Sequence, residues 1–128
     1  MSEYELITVR ETIIQSLNGL ADVQASHIAI YLTLIFAYIS VAYIAGSKLT
    51  RLQMILVTAV FLLASTREVI AIALLGVAIS EKYGHLEKFN ASGDVVIESI
   101  TLPSLFIWSS GIFISLIFMW SARHTKTE

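Results

Sequence analysis

Residues 52–79 read LQMILVTAVFLLASTREVIAIALLGVAI. These 28 residues carry two charges, Arg67 and Glu68, side by side. A helix rises 1.5 Å per residue, so about 20 residues cross the roughly 30 Å hydrocarbon core of a bilayer. The stretch is long enough to span and overshoots, which predicts tilt or projection. A charge at the centre of such a helix costs about 2.5–3.5 kcal/mol on insertion scales. Charges retained there usually face a bundle interior or a water-filled cavity. Arg67 and Glu68 are therefore the first candidate site.

Two more uncharged runs flank this one. Residues 27–46, HIAIYLTLIFAYISVAYIAG, number 20. Residues 104–122 follow Pro103, and proline suits the first turn of a helix. A third span is predicted over 103–122, with Thr101 or Leu102 at its cap. Trp120, close to Arg123, reads as an interfacial anchor. The charges between the first two spans are confined to Lys48 and Arg51, so these spans form a tight antiparallel hairpin.

Composition agrees. Hydrophobic residues make up 56% of the 128 and charged residues 14%, against about 25% charged in a typical soluble domain. Mean hydropathy is +0.78. A soluble chain of this length could not bury so much apolar surface, and the length allows one domain at most. A net charge of −2 argues against nucleic-acid binding, which calls for a basic patch. The absence of cysteine excludes disulfides and thiolate chemistry. Glu3 and Glu5 stand where a signal peptide would carry basic residues, so no signal peptide is expected. The predicted architecture is all-α: three transmembrane helices preceded by an amphipathic interfacial helix, in a single membrane domain over 1–128.

That first helix is predicted over 3–20. Leu6, Val9, Ile13, Leu17 and Leu20 repeat at helical spacing and form one apolar face. Its polar face is acidic, which suits the outer surface or a protein partner better than anionic lipid. Asn18-Gly19 should break it before span one. Residues 80–102 read as an outer loop, with turns at Tyr83-Gly84 and Asn90-Ala91-Ser92-Gly93 and a short helix over 94–100. Asn90-Ala91-Ser92 also fits the glycosylation triplet, a match frequent by chance. Lys48 and Arg51 fall on the same side as Arg123 and Lys126 in the tail, 123–128. The positive-inside rule then places the N-terminus out and the C-terminus in.

On helical wheels each span has a small or polar stripe. His27, Tyr31 and Tyr38 share a face of span one; Ala64, Arg67, Ala71 and Ala78 share one of span two; Ser104, Trp108, Gly111 and Ser115 share one of span three. Tyr38, Arg67 and Ser115 fall at similar depths near mid-membrane, so an intramembrane polar cluster of Arg67, Glu68, Tyr38 and Ser115 is expected. Adjacent helical residues diverge by about 100°, which favours an Arg67–Glu68 pair between subunits over one within a chain. Ala64, Ala71, Ala78 and Gly111 are the expected helix-packing stripe and suggest a homo-oligomer. The acidic and histidine side chains near the outer side (His27, Glu81, His85, Glu87, Asp94, Glu98) include no two histidines at i, i+4 spacing. A solvated loop with an interfacial histidine is expected there, and no metal or cofactor.

No phosphate loop, dinucleotide fingerprint or nucleophile elbow occurs, so no enzymatic activity is expected. The charges at Arg67 and Glu68 have two readings: a device that fixes helix register, or the lining of a pathway for protons, ions or a small solute. The first makes the chain an accessory or scaffolding protein that acts through helix association, with itself or with another membrane protein. The second makes it a small channel or transporter; three helices cannot enclose a pore, so this also requires oligomerisation. The outline resembles small three-span proteins of bacterial inner membranes. In topology alone it is similar to three-span phage holins, which would imply membrane permeabilisation, although Ser121 to Glu128 is less basic than a typical holin tail.

Overall fold

The computed structural model describes residues 2–90 and 98–124, and every regular element among them is an α-helix. Helix α1 runs Glu3–Ala45, α2 Arg51–Asn90 and α3 Glu98–His124. All three are long and apolar enough to cross a membrane. The first two are far longer than a bilayer requires. Their 43 and 40 residues correspond to roughly 65 Å and 60 Å.

Local chemistry sets the helix starts. Ser2 Oγ accepts from the Glu5 N–H (3.3 Å), while the Glu5 carboxylate accepts from the Ser2 N–H (2.8 Å). Thr50 and Gln53 repeat the arrangement before α2, at 3.3 Å and 3.0 Å. Each reciprocal pair satisfies two backbone donors at a helix N-terminus. Between α1 and α2 the chain reverses over residues 46–50. A Cβ at Gly46 would collide with the Ala42 carbonyl oxygen, so the turn needs glycine.

Two expected breaks are absent. The segment 3–20 is not a separate amphipathic helix but the first part of α1, which continues through Asn18-Gly19. Likewise α2 continues through Tyr83-Gly84, so residues 80–90 are helix and not loop. A glycine inside a helix costs about 1 kcal/mol relative to alanine. Packing of α1 along α2 offsets that cost: Leu17 is buried and Ser16 Oγ accepts from Lys82 Nζ. Pro103 lies in the second turn of α3 rather than the first, because α3 already begins at Glu98. Residues 91–97, including most of the glycosylation triplet, and the tail beyond His124 lie outside the described residues.

Helix α2 packs antiparallel to α1, and α3 packs against both. The core has two centres. At the hairpin end Tyr38, Ala42, Phe61 and Met119 are buried together. Tyr38 and Phe61 stack with ring centroids 4.0 Å apart. Farther from the hairpin, Tyr31, Val69 and Ile72 pack with Trp108 and Leu105. Outward-facing positions such as Phe36, Leu63, Phe106 and Phe113 are large, apolar and exposed, as expected of a surface that meets lipid.

A buried carboxylate at one end of the three-helix region

Cross-helix contacts fix the relative heights of the helices. Tyr31 donates to the Trp108 carbonyl, and the two rings pack edge to face at 5.4 Å. Four residues earlier on each helix, His27 and Ser104 therefore stand level. The charge-free runs of α1 and α3 begin a little earlier, at Val23 and Ser99. At the other end Arg123 Nη1 donates to the Met54 sulfur (2.7 Å), which brings the end of α3 level with the start of α2. The three-helix region thus runs from the start of α3 at Glu98 to a level near Gly46, Leu52 and Ala122.

Glu68 lies level with His27. Its carboxylate is 2% exposed. Oε2 meets His27 Nδ1 at 2.6 Å, and Oε1 accepts from Arg67 Nη1 at 2.8 Å. His27 is half-buried, whereas the Arg67 side chain is 75% exposed and points away from the core. One turn beyond, Gln24 Nε2 donates to the Ile72 carbonyl at 3.1 Å. These bonds pin α1 to α2 in one register. No buried side-chain polar atom among the described residues lacks a partner.

This geometry corrects two expectations. Arg67 and Glu68 do bond within one chain: the long arginine side chain wraps back to its neighbour, overcoming the divergence of adjacent Cβ directions. Glu68 lies about 24 Å from Leu52 along α2. Finally, the polar cluster separates. Tyr38 Oη bonds Thr58 Oγ1 at 3.0 Å, about 15 Å from Glu68 along α2. Ser115 Oγ donates to the Gly111 carbonyl of its own helix at 2.7 Å. Neither joins the charges.

Of the small residues, Gly111 serves a contact inside the chain. Gly111 faces Tyr31, and a Cβ there would lie 2.5 Å from the phenolic oxygen. Ala64, Ala71 and Ala78 are half-buried, on the flank of α2 between Glu68 and Arg67. The composition of the helices did not single out His27 as the partner of Glu68. The signal was present: a hairpin turning over residues 46–50 places residue 27 opposite residues 68 and 69.

Beyond the His27 level α1 and α2 continue for roughly 30 Å, and past the start of α3 at Glu98 they form a two-helix arm. Its inner side holds Leu17. Ile13, Ala78, Glu81, Lys82 and His85 line an open cavity of about 400 Å³ along it. Helix continuity puts Glu81 and His85 at i, i+4 spacing. Among the described residues, however, no three histidine or carboxylate side chains gather as metal ligands. Comparison with known protein families, with curated proteins and with solved structures finds no match to this chain.

Proposed function

We propose that the chain is an integral membrane protein that works as an accessory or scaffolding subunit through helix association. Three helices anchor it. The arm formed by α1 and α2 stands off the membrane and offers apolar side chains to a partner, a second copy being the simplest one. The observation that carries this reading is the exposure of Tyr4, Ile7 and Ile14 along the arm, beyond the level at which α3 begins among the described residues. Large apolar side chains left open along a helix pair mark an association surface. Lys48, Arg51 and Arg123 at the hairpin end support an orientation with the arm outside, and an inner bacterial membrane suits that orientation.

Helix pinning is the simplest role for Glu68. Its partner His27 lies on the neighbouring helix of the same chain, and its carboxylate faces α1. A pathway lined by Arg67 and Glu68 would need that carboxylate to face a lumen between subunits.

Cysteine accessibility tests the arm. Gly19→Cys and Gly84→Cys sit where a side chain meets no neighbour. Both should react with a membrane-impermeant thiol reagent, while Phe36→Cys and Phe113→Cys stay protected. Protection at Gly19 and Gly84 in the monodisperse protein would sink the arm and restore a helix lying in the bilayer surface.

A further inference from the structure

Arg67 is held at one edge and open at the other. A guanidinium presents five N–H donors in a planar fork. One of them reaches Glu68 Oε1, and among the described residues Arg67 makes no other hydrogen bond. The carboxylate that holds it is itself fixed by His27 on α1. Arg67 is therefore aimed outward by a buried anchor while most of its donors stay free.

Its surroundings toward the hairpin are those of a lipid-facing surface. Val60 and Leu63 lie on the same side of α2, and both are exposed. Donors left unsatisfied among acyl chains are costly. A long basic side chain near the end of a span resolves this by extending to the interface. Arg67 begins about 23 Å from Leu52, against roughly 30 Å for a hydrocarbon core whose inner edge lies at the hairpin. From there the guanidinium reaches the phosphate layer. Phosphate accepts the arginine fork through two parallel bonds, which carboxamide or hydroxyl headgroups do not match.

We propose that Arg67, oriented by Glu68, binds the phosphodiester of a membrane phospholipid in the leaflet at the arm end, with the acyl chains lying along Leu63 and its neighbours. The proposal rests on the membrane-spanning reading above. The protection of Phe36→Cys and Phe113→Cys tests that reading separately, so the two can fail independently.

The test uses native mass spectrometry of the full chain in mild detergent. The probes are phosphatidylglycerol and monogalactosyl diacylglycerol, which has no phosphate. The wild-type protein should retain one phosphatidylglycerol per chain, about tenfold more tightly than the galactolipid, as one charge-assisted bond predicts. Arg67→Gln should lose that preference, and Arg67→Lys should keep part of it. Equal retention of the two lipids by the wild type, or an undiminished preference in Arg67→Gln, overturns the site. A second copy held through Arg67 would instead appear as a doubled mass that Arg67→Gln halves, and that too overturns it. A measurement independent of that variant's folding uses the triple variant Arg10→Lys, Arg51→Lys, Arg123→Lys in phosphatidylglycerol bilayers, with arginine labelled by nitrogen-15. Dephasing of the remaining guanidinium by lipid phosphorus supports the site, and its absence in folded protein rejects it.

Discussion

The hydroxyl of Tyr31 occupies the space that a side chain at Gly111 would need. A Cβ at Gly111 would stand 2.5 Å from that oxygen and 3.4 Å from the ring carbon bearing it. The ring cannot swing away cheaply, because its hydroxyl donates to the Trp108 carbonyl. Gly111→Ala should therefore destabilise the α1–α3 contact by about 1–3 kcal/mol, the usual cost of overpacking. Tyr31→Phe frees part of the space. Combined with Gly111→Ala it should cost less than the sum of the two single changes, as a double-mutant cycle of thermal unfolding in nanodiscs would reveal.

His27→Ala removes one of two partners from a buried carboxylate. The expected loss is about 1.5–3 kcal/mol, the range for a hydrogen bond to a charged group. Glu68→Gln keeps the size and a hydrogen-bonding oxygen, so its loss should be smaller. Denaturant unfolding in micelles ranks the two. The opposite order would place the stabilising role on Glu68 independently of His27.

Replacing Arg67 and Glu68 together by leucine separates pinning from passage. Removing both members of a buried ion pair is often neutral, whereas removing one costs about 3–5 kcal/mol. The exposure of Arg67 puts that single cost at the low end. A scaffold should keep its expression and assembly in the double variant. Conductance or uptake that is present in wild-type liposomes and lost from the folded double variant would revive the pathway.

Orientation is tested by Ser2→Cys and Ser47→Cys. Ser2 precedes α1 and Ser47 lies in the hairpin turn, so the two stand at opposite ends of one helix. In intact cells Ser2→Cys should react with an impermeant reagent and Ser47→Cys should resist it. The reverse result would turn the arm inward.

Self-association is read from the detergent-corrected mass. A dimer or larger assembly is expected, held by the arm. Gly111→Leu should lower stability without changing subunit number, because Gly111 faces Tyr31 of its own chain. Substituting Ile7 and Ile14 by glutamate should return the protein to a monomer. A wild-type monomer in every detergent and lipid tested would remove the second copy as the arm's partner.

The spans were legible because long uncharged runs have few physical explanations. The face shared by His27, Tyr31 and Tyr38 was legible for a related reason: a helical period brings those positions together whatever the neighbours are. Gly19 and Gly84 misled because turn propensity is local, whereas the helices there are supported by each other. Arg67 and Glu68 were legible as unusual, but the bond between them was not. Val69 and Ile72 pack against α3 while Ile70 and Leu74 are exposed, and hydropathy does not separate these uses. The His27–Glu68 bond needed the register of the hairpin, which depends on where the chain turns.

The turn at residues 46–50 also constrains how the molecule is made. So short a link keeps α1 beside α2 from the moment both have been synthesised. Contacts such as Tyr38–Phe61 and His27–Glu68 close by zipping outward from the turn, each step adding only a small loop. Long-range closure is the slow part of folding, and here it is spared. The residues that receive α3, including Tyr31, Val69 and Ile72, come from both earlier helices. Its docking surface exists only after those two have paired. Biogenesis should thus follow a fixed sequence, with the hairpin entering the bilayer as one unit and α3 arriving last on a template already assembled.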